Sequence, residues 1–163
     1  TPSMANIQVH PITEVDRPWV EDISRQCWGT EYIIAHGEIF FPATIGGFIA
    51  YDNNKRVGLA TYHIKGAVCE IISLNALKPH VGIGSALLRQ VFNFAKQQGC
   101  SKLYLTTTND NTNALLFYQK FGFHITAFRR DVIAEYRKIK AEIPLLNENG
   151  IPIRDEIELE MEL

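Results

Sequence analysis

Apolar and polar positions change period several times along this chain, and each change marks an element. "IQVHPI" alternates and predicts a short first strand. "EVDRPWVEDISRQCWG" takes up helical spacing, with Pro18 suited to its first turn and Asp16 to its cap. Thr30 to Gly47 keeps neither period and reads as an irregular loop rich in aromatics, of the kind that forms binding walls. "FIAY" and "VGLATYHI" predict two strands joined through "DNN", a hairpin turn, and Lys65-Gly66 marks a second turn before the strand "VCEIISLNAL".

Leu87, Leu88, Val91, Phe92 and Ala95 then recur at helical spacing, with Gly99 placed to end that helix. "KLYLTTT" is a strand, "NTNALLFYQKFG" a short helix stopped by Gly122, and "FHITAFRR" another strand. "DVIAEYRKIKAE", 131–142, reads as a charged helix. Along the last segment Ile157, Leu159, Met161 and Leu163 alternate with Glu156, Glu158, Glu160 and Glu162. That pattern predicts a one-sided strand, apolar toward the core and acidic toward water. Antiparallel strands followed by strand–helix–strand–helix–strand imply an α+β fold, a mixed sheet with covering helices.

At 163 residues the expectation is a single domain, 1–163, with a real core. The net charge of −2 supplies no basic surface for nucleic acid. No apolar run is long enough to predict a membrane span, and no leader pattern opens the sequence. Cys27, Cys69 and Cys100 are odd in number and far apart, so reduced thiols in a cytoplasmic protein are expected, with no disulfide framework and no metal site.

The candidate chemistry starts at "LKPHVGIGSALL". Gly82 and Gly84 stand where a helix opens. Unpaired amides and the positive end of the helix dipole favour an anion there, and glycines let it approach the backbone. A tight strand-to-helix turn would explain the same glycines. A P-loop is excluded because Ser85-Ala86 follow Gly84, and a dinucleotide fingerprint because its third glycine position is Leu87.

A second segment, "NDNTNALLFYQKFGF", carries Asn111, Ala114, Tyr118, Gly122 and Phe123. Together the two segments, and the spacing between them, resemble the GNAT acetyltransferase superfamily over about Gly47 to Arg129. Pro79 stands where that family usually has Arg or Gln, and the segment 131–142 lies where many members have only a short loop.

The resemblance implies a mostly antiparallel sheet with a V-shaped splay, and transfer of acetyl from acetyl-CoA to a primary amine of a small molecule or peptide. It implies cofactor contacts at Leu74, Ala76, Val81, Gly82, Ile83, Gly84, Ser85, Ala86, Asn111 and Asn113. It also implies that Tyr118 is the acid toward the leaving sulfur. Glu70, among the apolar neighbours of "VCEII", is the candidate base, with Tyr62, His63 and His80 as rivals. Asn111 could equally be a plain helix cap; the reading set against Tyr118 as acid is an aromatic packing residue. Trp28, Tyr32 and Glu38 are the candidate acceptor-binding residues, drawn from a wall that also holds His36, Phe40 and Phe41. Alternatives remain open: an acyl-CoA-binding regulatory or interaction module without turnover, acyl transfer to a hydroxyl or with a longer acyl chain, and a homodimer formed through the final strand instead of an edge guarded by its glutamates.

Overall fold

A computed structural model describes residues 6–78 and 82–163. The chain runs β1 (Ile7–Pro11), α1 (Arg17–Trp28), β2 (Ile33–Ala35), β3 (Glu38–Phe40), β4 (Gly46–Asp52), β5 (Lys55–Lys65), β6 (Val68–Ala76), α2 (Ile83–Gln97), β7 (Lys102–Thr108), α3 (Thr112–Phe121), β8 (His124–Arg129), α4 (Ile133–Arg137) and β9 (Glu156–Glu162). Seven strands form one sheet in the order β1-β4-β5-β6-β7-β9-β8, and β2–β3 is a separate hairpin. Among the described residues only β6 and β7 pair in parallel.

The core on one sheet face forms around α2. Leu87, Leu88 and Val91 are wholly buried against Val57, Leu103, Leu105 and Leu159. Each such side chain contributes about 1.5–3 kcal/mol on burial. Ile83 and Leu87 come so close to the sheet because β5 carries Gly58 beneath them. A Cβ on Gly58 would lie 2.7 Å from Ile83 Cγ2 and 2.9 Å from Leu87 Cδ1. The opposite face is covered by α1, through Val20 and Ile23 on Ile49 and Leu59, and by the β2–β3 hairpin on Ile72.

Four expectations are corrected. The segment Thr30–Gly47 is not wholly irregular: Ile33–Ala35 and Glu38–Phe40 pair as a tight hairpin through His36-Gly37. His36 sits there at φ 42°, in the left-handed region such turns require. The helix expected over 131–142 stops at Arg137. The Arg137 guanidinium donates to the carbonyls of Ile143, Pro144 and Ile153, which turns the chain back on itself. Asp16 does not cap α1 with its side chain; its carboxylate accepts from Thr13 N–H and from Arg56 instead.

The fourth correction is the largest. β9 is not an edge but lies between β7 and β8, paired on both sides. Its acidic face does not all turn to water either: Glu156 is only 3 % exposed and Glu158 and Glu160 are half-buried, while Glu162 is exposed. A second copy therefore has no free β9 edge to pair with.

Gly58→Ala is expected to destabilise the fold by about 1–3 kcal/mol, because α2 must retreat from β5 or Ile83 must leave its rotamer. Urea unfolding reads this as a lower midpoint with an unchanged slope.

Candidate active site

β6 and β7 pair only at Val68↔Lys102, Cys69↔Leu103 and Glu70↔Tyr104. Beyond Glu70 the two strands diverge. β6 is bent at the same place by a bulge: Thr61 pairs with Ser73 and Tyr62 with Ile71, which leaves Ile72 without a partner. A buried 2.6 Å hydrogen bond between the Thr61 and Ser73 hydroxyls fastens β6 to β5 there. The result is an open-sided gap between β6 and β7, the splay that the sequence resemblance implies.

Glu70 stands at the apex of this gap. Cys69 and Ile71 face the α2 core, so alternation turns Glu70 to the other face, and it is 7 % exposed. Both its carboxylate oxygens lie 2.9 Å from His36 Nε2. Burial raises the Glu70 pKa, and the hydrogen bond from His36 opposes part of that rise.

His36 is aimed by its hairpin, and the hairpin is anchored by Glu156. The Glu156 carboxylate accepts from His36 N–H at 3.0 Å, from Arg129 Nε at 2.8 Å and from the Tyr136 hydroxyl at 2.7 Å. Burial, with the Glu156 carboxylate beside it, pushes the Tyr136 phenol up to about 12. Arg129 also bonds Glu158, which accepts from Tyr104 as well. Although burial works the other way, these two donors hold the Glu158 carboxyl below its usual range. Glu156, Glu158 and Glu160 of β9 thus form the floor of the site, each with a partner, Glu160 through Lys102.

Two cavities flank Glu70. The larger, about 470 Å³, opens on the gap between Ile72 and Thr106–Thr108. Its walls are Trp28 at the end of α1, Ile33 to Ala35 of the hairpin, and the β8–β9 connection with Ile133, Tyr136, Lys140 and Ile153. The smaller, about 420 Å³, lies over the paired part of β6 and β7 and holds His36, Glu38, His63 and Glu70 with Lys65, Lys102, Glu158 and Glu160.

The predicted residues divide accordingly. Trp28 and Asn111 line the larger cavity, and Glu38 and Glu70 the smaller. Tyr32 lines neither; it lies behind the wall, its carbonyl accepting from Lys140 and its ring against Phe41. Asn111 caps α3, its side chain accepting from Ala114 N–H at 3.3 Å. Asn113 is exposed on the same helix and lines neither cavity. Tyr118 does not meet Glu70. It is packed edge-on between Phe117 and Phe123 in the α2-side core, across the sheet, and its burial raises the phenol well above its ordinary pKa.

Gly82, at φ 102°, is the N-cap of α2. Ala86 N–H already bonds the Gly82 carbonyl, so the amides outside the helical ladder are those before it and Ala86 drops out of the set. Ile83 has its side chain wholly buried and offers only its backbone. A Cβ on Gly84 would meet only Phe117, at 3.4 Å, so packing alone does not demand glycine there. Leu74 and Ala76 pair with Ala60 and Gly58 on the β5 side, beyond the point where β6 has left β7. Pro79, His80 and Val81 lie outside the described residues.

Sequence reasoning missed Arg129, Tyr136, Glu156 and Lys140. The alternation of the last strand carried the one available signal, a face of four glutamates, but not what covers that face.

The sequence pattern of the acetyltransferase (GNAT) family matches residues 12–123. The uncharacterized protein YdhI of Bacillus subtilis is 41 % identical over 148 residues, covering 90 % of this chain and 92 % of its own. N-alpha-acetyltransferase 50 of Danio rerio is 30 % identical over 99 residues, 56 % of this chain and 57 % of its own. A GNAT family acetyltransferase from Elizabethkingia anophelis, solved with acetyl-CoA bound, superposes with a TM-score of 0.71 at 28 % identity, over 98 % of this chain and 99 % of that one. Among the described residues no helix is long and apolar enough to cross a membrane. With the splayed sheet and the glycine-opened helix in place, the match over most of its length settles the matter: the chain belongs to the GNAT acetyltransferase family and is an acyltransferase.

Proposed function

We propose that the protein moves an acetyl group from acetyl-CoA to a primary amine of a small molecule or peptide, by direct attack within a ternary complex. The observation that carries this reading is Glu70, a buried carboxylate held by an imidazole at the residue where β6 parts from β7. The acetyl-CoA bound in the Elizabethkingia relative supports the cosubstrate, and the relative named N-alpha-acetyltransferase 50 keeps peptide amines among the acceptors.

The residues present fit acetyl-CoA. The start of α2 offers amides outside the ladder, a left-handed glycine at its cap, and no side chain at Gly84. The backbone of Gly82, Ile83, Gly84 and Ser85 would hold the pyrophosphate. The β6 edge around Leu74 and Ala76 would take the pantetheine arm, and a backbone amide near Leu74 would polarise the carbonyl. Asn111 at the start of α3 lies beside that path.

Acetyl-CoA, when bound, supplies a thioester carbonyl open to attack and a thiol as leaving group. The chain's own residues handle the protons. Glu70 takes one from the acceptor ammonium, directly or through water, so that the amine can attack. Burial gives the carboxylate the proton affinity for this, and His36 fixes its orientation. The acceptor's new C–N bond forms as the C–S bond breaks. Tyr118, kept protonated by burial, donates to the departing sulfur from the other side of the gap. On the side of the smaller cavity, Glu38, Glu158 and Glu160 surround Glu70 with further carboxylates.

Glu70→Gln is expected to lower kcat by about 10²–10⁴-fold at unchanged acetyl-CoA affinity. In the native enzyme Glu70 must be deprotonated, and its pKa is raised by burial. The acid limb of kcat/KM therefore lies above the ordinary glutamate value of about 4.3. His36→Ala removes the bond that opposes the rise, so its limb moves to higher pH; a limb that stays put in both variants would reject Glu70 as base. Tyr118→Phe should cut kcat with little change in KM, read from steady-state thiol release with amines of differing basicity. Gly84→Glu sets a carboxylate at the start of α2 without a backbone clash. Calorimetric titration with acetyl-CoA should show binding in the native protein and none in this variant, with both melting alike.

A further inference from the structure

Lys140 is 6 % exposed, yet it lines the larger cavity beside the gap. Its ammonium has three donors. Among the described residues one is used, toward the Tyr32 carbonyl at a long 3.3 Å, with the Tyr32 ring 5.5 Å away. No described carboxylate comes within 4.0 Å of it; Glu142 and Glu31 act only at longer range. Glu156, in the same wall, is already saturated by Arg129, Tyr136 and His36 N–H. A buried, singly bonded ammonium costs several kcal/mol unless an anion joins it. The wall also holds Ile33, Ile72 and Ile133 beside the carboxylate of Glu142, which stands beyond 4.0 Å of the ammonium and leaves it a donor for an arriving anion.

A second observation points the same way. Asp110 Oδ1, in the wall of the same cavity, is buried without a hydrogen-bond partner among the described residues. A cavity of about 470 Å³ with an apolar body, a spare cationic donor and a spare anionic acceptor matches a small zwitterion.

We propose that Lys140 anchors a carboxylate on the acceptor, so that the preferred acceptors are apolar amino acids and not the corresponding plain amines. This rests on the acyl-transfer reading above, which it narrows to a substrate class. The ammonium forms a charge-assisted bond to the carboxylate, the apolar walls take the side chain, and Asp110 Oδ1 accepts an N–H of the same molecule. Burial lowers the Lys140 pKa, and a bound carboxylate would restore it.

The test uses matched probes: L-phenylalanine against phenethylamine, and L-leucine against isoamylamine. Each is titrated calorimetrically into the full chain, and each is assayed for acetyl-CoA-dependent thiol release. The amino acids should bind about 10- to 100-fold more tightly than their amines, the factor for a hydrogen bond to a charged group. Lys140→Met should erase that ratio while leaving amine affinity in place, and Lys140→Arg should keep most of it. No carboxylate preference in the native protein, or one that survives in Lys140→Met, overturns the proposal. Turnover of amines without such a preference would sink this inference and spare the acyl-transfer reading; a preference in binding without turnover would do the reverse.

Discussion

One buried carboxylate organises the site. Glu156 sits on β9, yet its partners come from β8, from α4 and from the turn of the β2–β3 hairpin. An uncompensated charge at that depth would be strongly destabilising, so every arm that reaches it is held in place. The hairpin is the arm with consequences for chemistry. With His36 N–H fixed on Glu156, the imidazole can only reach across to Glu70. The orientation of the proposed base is thus decided two hydrogen bonds away, on β9.

The second constraint is backbone, not charge. β6 is continuous with its antiparallel neighbour β5 throughout its length, but accompanies β7 for three residue pairs only. The bulge at Ile72 bends it away, and the Thr61–Ser73 hydroxyl pair holds the bent part on β5. A sheet that would otherwise seal itself is left with a passage joining its faces. Glu70 and Tyr118 are packed on opposite faces of that sheet, and the proposed reaction requires both to reach the opening.

Much of this was legible in the sequence. The long strands, α2 and α3 follow from period alone, and the spacing of Gly82, Gly84, Asn111 and Tyr118 points to the family. Glu70 could be picked out because a carboxylate within "VCEII" has no business in a core without a task. What stayed hidden was relative placement. Alternation in β9 separates an acidic from an apolar face, but which strands flank it is a matter of topology, and the arrival of Arg129 and Tyr136 turns a surface pattern into an interior one. Lys140 was invisible for a related reason. "RKIKAE" reads as an exposed helix, and only the Arg137 guanidinium, by gathering three later carbonyls, folds that stretch inward.

The strand order has a consequence for how the molecule is made. β8 touches the sheet only through β9, which is synthesised some 27 residues later, as the pairing of Arg129 with Glu156 shows. On the ribosome, the five sheet strands β1, β4, β5, β6 and β7 can assemble as they emerge; β8 must wait for β9 before it has a strand to pair with. The catalytic groove is therefore the last part of the protein to exist, closed by an insertion between two strands and not by addition at a margin. A chain cut before residue 156 would lack β9, and with it the strand that joins β7 to β8.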